Sequence, residues 1–132
     1  MTTPVIAGCN HLRHHSAHGE ITAWHATGDD GSSLLVYTHT ADLPTPHVRE
    51  RLAERAELTQ LGTHPAMAGF VELIELPTRA ALVVAAAGGT RLSELAPRAL
   101  SAVEVLQIAI DLAPALAELH VRGVGHGGVH AD

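Results

Sequence analysis

The pattern of apolar and polar positions divides the chain into short strand-like runs and two longer helical stretches. "GEITAWHA" (residues 19–26) and "SLLVYTHT" (33–40) are rich in β-branched, aromatic and aliphatic residues, as strands prefer. Between them lies Gly28-Asp29-Asp30-Gly31, whose residues tolerate left-handed backbone angles, so an antiparallel hairpin is expected. The preceding "HHSAHGEI" reads as a polar loop opening that hairpin. After Pro44, Thr45 suits a helix N-cap and Pro46 its first position. Val48, Leu52, Leu58 and Leu61 then offer an apolar stripe, with Gly62 and Pro65 as the stop. Two more strands fit 69–76 and 79–87, joined at Pro77-Thr78, and a short helix fits 91–95.

The clearest element spans 103–121. Ser101 and Glu104 form the S-x-x-E capping box, and apolar residues then cover most of the helix surface, the sign of a core helix. Pro114 is expected to kink it and Gly123 to close it. The expected order is ββαββ, then helix, then a Gly- and His-rich loop, "GVGHGGVHAD". An α+β fold follows, a small antiparallel sheet with one helix across it and then a mostly helical segment.

Composition narrows the function classes. Hydrophobic residues make up 46% of 132 positions but aromatics only 2%, so the core must be built from Leu, Val, Ile and Ala. The net charge is −6 and all 8 basic residues are Arg, with no cluster that would track a phosphate backbone. Nucleic acid is not an expected partner. Glu104 and Asp111 interrupt the most apolar long segment, so no membrane span is expected. The single Cys9 excludes an intrachain disulfide and, with no signal-like N-terminus, points to the cytoplasm.

Several stretches taken together resemble the protein kinase fold, in particular bacterial serine/threonine-type kinases. "LSAVEVLQIAIDLAPALAELHVRGVGHGGVH" looks like that family's long helix and the catalytic loop beyond it. "ERAELTQLGTHPAMAGFVELIEL" looks like the regulatory helix, the "HP" that follows and the next strand. "RAALVVAAAGGTRLSEL" is similar to the hinge and the segment leaving it. The resemblance runs from about Leu12 to Asp132. It implies a small lobe over 1–87 and, over 88–132, the hinge exit and the start of a large lobe that is cut short at the catalytic-loop position. A helix deprived of the rest of that lobe is expected to leave apolar surface open, favouring self-association, a partner chain or low stability.

The resemblance also implies where the chemistry would sit, and there the residues depart from the family. The glycine-rich loop that covers phosphates matches His14, Ser16 and Gly19, one glycine of three. The strand lysine that holds the α- and β-phosphates matches Tyr37, which is neutral near pH 7, and the sequence contains no lysine. The helix glutamate that would pair with it falls at Glu54 or Arg55. In the catalytic loop His126 matches the histidine, Gly128 the aspartate that accepts the substrate proton, and His130 the lysine two places on. The sequence ends at Asp132, before the asparagine and D-F-G positions that hold magnesium.

A catalytically inactive kinase-like domain, a pseudokinase or remnant with a regulatory or protein-binding role, is therefore the leading expectation. It has no catalytic residues and no cofactor, ATP and Mg²⁺ entering only if residual binding survives. The alternative is the N-terminal part of a serine/threonine kinase that retains nucleotide binding. A third reading is a histidine-based metal binder, since His11, His14, His15 and His18 cluster near Cys9, and His126 with His130 has H-x₃-H spacing. Solvated loop histidines are the expectation there, and no metal site is assigned. His64 and His120 are expected to be structural.

Overall fold

A computed structural model of the protein describes residues 2–86, 90–95, 98–127 and 129. It is α+β, with β1 (Cys9–His18), β2 (Ile21–Gly28), β3 (Ser33–His39), α1 (Pro46–Leu61), β4 (Phe70–Leu76), β5 (Arg79–Ala85), α2 (Leu92–Leu95) and α3 (Ala102–Val121). The strands form one antiparallel sheet in the order β1-β2-β3-β5-β4. Two compact units are present, 1–60 with 68–87, and 61–67 with 88–132.

In the first unit, alternation along the strands builds two apolar layers. On one face, Val48, Leu52 and Ala56 of α1 pack on Ala80, Leu82 and Val84, with Ile21, Leu35, Tyr37, Phe70 and Leu73 around them. On the other, Trp24, Ala26, Leu34, Val36, Ala81 and Val83 are covered by Ile6, Cys9 and Leu12. Strands β3 and β5 are thus buried on both sides, which explains why "LLV" and "AALVV" run apolar without alternation. Small side chains suit such a sandwich because they let helix and sheet approach closely. The third helix contact is Ala56, not Leu58, because buried positions recur at four-residue steps from Val48.

The first turn of α1 is fixed by specific hydrogen bonds. The Val48 N–H donates to Thr45 Oγ1 at 3.2 Å, the N-cap geometry read from the sequence. Arg49 donates to the carbonyls of Leu76 and Pro77 at 2.6 and 3.0 Å, tying the helix to the β4–β5 turn. The β2–β3 turn forms as expected, with Gly31 at φ 83° and the Ser32 N–H donating to Asp30 Oδ1 at 2.9 Å.

The expectation of a polar loop before β2 is overturned. Residues 9–18 are not a polar loop but the edge strand β1, paired with β2 from Cys9 opposite Gly28 to His18 opposite Ile21. Two irregularities, between Asn10 and Arg13 and between His14 and Ser16, break the two-residue alternation that would have marked a strand. An edge position also tolerates polar side chains on both faces.

In the second unit, α3 begins with the capping box. Ser101 Oγ accepts from the Glu104 N–H at 3.2 Å, and the Glu104 carboxylate accepts from the Ser101 N–H at 2.8 Å. Arg98 adds a forked contact at 2.9 and 3.3 Å. Further along, Glu118 accepts from both the N–H and the hydroxyl of Thr63 at 2.9 and 2.7 Å. The helix runs on through Pro114, but it is not a core helix. Only Ala115 and Leu119 are buried, while Val103, Leu106 and Ile110 are 75%, 62% and 63% exposed. Apolar periodicity records what a helix would gain from being covered, not what covers it. No helix among the described residues is long and apolar enough to cross a membrane.

The capping box carries a pH dependence. The Arg98 side chain, then the Ser101 backbone and hydroxyl, hold the Glu104 carboxyl down at about 2, against an ordinary 4.5. A depressed acid stabilises the helix start fully above about 4.5, and that contribution is lost as pH falls through about 2. Helix signal followed by circular dichroism between those values should decline in the wild type. In Glu104→Gln that part of the decline is expected to vanish.

Candidate functional site

The positions where chemistry was sought lie mostly in the first unit, on the face of the sheet that carries α1. Tyr37 sits on β3 between Ala23 of β2 and Leu82 of β5 in register, half-buried and turned toward the helix. Arg55 follows Leu52 by three positions and precedes Ala56, so it emerges beside the helix face that the sheet buries. Its guanidinium carbon lies 4.6 Å from the centroid of the Tyr37 ring, a cation–π contact. Of the two candidates for the residue opposite Tyr37, the structure selects Arg55. Glu54 is exposed and forms no ion pair among the described residues.

The β1–β2 connection is equally specific. His18 pairs with Ile21, so only Gly19 and Glu20 make the turn, with Gly19 at φ 62°, a left-handed angle that favours glycine. His14 and Ser16 stand on the paired strand rather than in a loop, opposite Trp24 and Ala23. The His14 ring meets Trp24 edge-on, with centroids 5.4 Å apart.

The histidines do not act as one cluster. His14 goes with Trp24, whereas His15 packs against His25 of β2, with ring centroids 4.4 Å apart and planes at 83°. Neighbours on one strand, His14 and His15 point to opposite faces, His15 to the face of His25. No group of three or more His, Cys, Asp or Glu side chains is placed to hold a metal ion among the described residues. Burial raises the Cys9 thiol above its ordinary value, with the charges of Glu72 and Asp29 acting in the same direction. It is therefore a poor nucleophile near neutrality.

In the second unit His64 Nδ1 accepts from the Ala66 N–H at 3.1 Å and its carbonyl from Met67 at 2.8 Å, so the side chain shapes the turn. A shallow hollow of about 420 Å³ lies among His64, Pro65, Ala66, Ile110, Asp111 and Pro114, open to solvent. The His120 carbonyl accepts from the Gly123 N–H where α3 ends, and His126 is half-buried beyond it. Gly128, His130 and Asp132 lie outside the described residues. Comparison with known protein-family models gives no match for this chain, and comparison with curated proteins gives none either.

Proposed function

We propose that this chain is a protein kinase-like domain that has lost phosphoryl transfer and acts by binding another polypeptide. The Tyr37–Arg55 contact is the observation that carries this reading. The family resemblance implies a strand residue and a helix residue facing each other as a lysine–glutamate pair. Here a strand residue and a helix residue do face each other, but as an aromatic ring under a guanidinium. The strand–helix–strand arrangement around them supports the same reading: three strands, a helix across the sheet, then two strands.

The chemistry follows from the exchange. Phosphoryl transfer is positioning plus neutralisation of charge. Tyr37 supplies no ammonium for the α- and β-phosphates, and Gly128 supplies no carboxylate to accept the proton of the attacking hydroxyl. Loss of a general base alone typically removes about 10²–10⁴-fold in rate. The Val103–Leu106–Ile110 stripe of α3, three exposed apolar residues on one side of a helix, is the surface through which the domain associates, with itself or with another chain.

A second reading, residual nucleotide binding, has its own observation. Arg55 brings one guanidinium to the sheet face that carries Tyr37, with donors free for a phosphate. Thermal unfolding with millimolar ATP and Mg²⁺ separates the two. A ligand at 100 times its Kd stabilises by about 2.7 kcal/mol, several degrees of melting temperature for a domain of this size. No shift is expected. A saturable rise that disappears in Arg55→Gln would establish the second reading instead.

A further inference from the structure

We propose that His15 and His25 form an exchangeable two-histidine site for a borderline divalent metal ion of the Ni²⁺, Cu²⁺ and Zn²⁺ class. The inference stands on the β1–β2 pairing alone and does not depend on the kinase-like reading. It begins with the irregularity in β1. In register, His14 opposes Trp24 and Ser16 opposes Ala23, so two neighbouring residues of β2 face three of β1, and His15 is the additional one. Alternation along β1 puts His14 on the face of Trp24 and His15 on the opposite face, that of His25, and the irregularity then leaves Ser16, opposite Ala23, on the same face as His15.

The pair has the dimensions that chelation needs. Two imidazoles sharing one ion at about 2.0–2.1 Å per metal–nitrogen bond have ring centroids about 5 Å apart. Here they are 4.4 Å apart. The rings stand edge to face, with planes at 83°, and the Cβ–Cγ torsion of histidine is broad, so each ring can turn in place with its centroid nearly fixed. Both residues are half-buried, so solvent reaches them and water can complete the coordination. Arg13, opposite His25 in register, is exposed and free to swing its charge into solvent.

Imidazole is a ligand of intermediate softness, which selects late first-row divalent ions over Mg²⁺ and Ca²⁺. With two protein ligands and no third His, Cys, Asp or Glu converging among the described residues, the site holds its ion reversibly and leaves positions open. That distinguishes it from a closed four-ligand structural site.

The test is a Ni²⁺ titration of the full chain near neutral pH, followed by calorimetry and by emission of Trp24, the one tryptophan and the chain neighbour of His25. The expected result is a saturable phase of one equivalent with quenching of Trp24. His15→Ala and His25→Gln should each weaken it at least tenfold, whereas His47→Ala, on exposed helix surface, should leave it unchanged. His15 lies on an edge strand, so its replacement leaves the core in place, and the melting temperature of each variant verifies folding. Absence of a one-equivalent phase in the wild type would overturn the proposal. So would a phase that persists in folded His15→Ala and His25→Gln, or one that His47→Ala weakens equally.

Discussion

Leu82→Ala is expected to lower the unfolding free energy by about 2–5 kcal/mol, the range for a large side chain removed from a well-packed interior. Leu82 is wholly buried, on the strand at the centre of the helix-covered face, with Tyr37 and Leu73 as its cross-strand neighbours. The aromatic-poor core makes this site sensitive. Around it Val48, Leu52, Ala56, Ala80 and Val84, with Tyr37 and Leu73, are held by strand and helix backbones that cannot move far into a cavity. Domains of this kind are stable by only about 5–15 kcal/mol in total, so the loss is a large fraction. Urea unfolding should show it as a lower midpoint at constant slope. Val71→Ala on the edge strand, where the side chain is 49% exposed, should stay within about 0.5 kcal/mol. Equal costs at the two sites would mean that β5 is not the centre of the core.

Leu106→Lys with Ile110→Lys is expected to abolish concentration-dependent association of the chain. These residues and Val103 stand at i, i+3 and i+7 on α3, one continuous apolar strip facing solvent. Burying one such side chain is worth about 1.5–3 kcal/mol. Losing two therefore weakens association by at least about 100-fold, since about 1.4 kcal/mol corresponds to tenfold. Sedimentation velocity over a range of concentrations should show the wild type shifting to larger species and the double variant remaining a monomer. A wild type that sediments as a monomer throughout would remove self-association through α3 from the account. Because both positions are already exposed, the melting temperature of the variant should change little.

Most of the architecture could be read from the sequence because its signals are local. Thr45-Pro46 and Ser101 with Glu104 announced two helix starts, and Gly28-Asp29-Asp30-Gly31 announced a hairpin turn. Each depends on a few neighbouring residues satisfying backbone groups. Strand β1 escaped because its pairing is irregular at two places, so its residues do not alternate, and histidine has little strand preference to compensate. For α3 the periodicity read as a core helix, whereas the resemblance led to an expectation of open apolar surface, and the exposed Val103, Leu106 and Ile110 agree with the second. The apolar pattern is intrinsic to the helix, whereas cover must come from other parts of a structure.

The site was legible only in part. Tyr37 could be placed opposite the helix, but the sequence left Glu54 and Arg55 open. The choice turns on one residue of helical phase, 100° of rotation, which only packing on Leu82 and Val84 fixes. The His15–His25 contact was out of reach because residues 14–18 read as a loop, so no strand pairing placed His15 beside His25.

The central proposal is that this chain, with a tyrosine ring under Arg55 and with Gly128 at the position that the kinase resemblance assigns to the proton acceptor, does not move a phosphoryl group. Incubating the purified chain with γ-labelled ATP, Mg²⁺ and a generic acceptor such as casein or a serine-rich peptide tests this directly. The account predicts incorporation no greater than in a reaction without protein, in the acceptor and in the chain itself. Incorporation that grows with the concentration of the chain and falls in a Tyr37→Ala variant that still folds would contradict it.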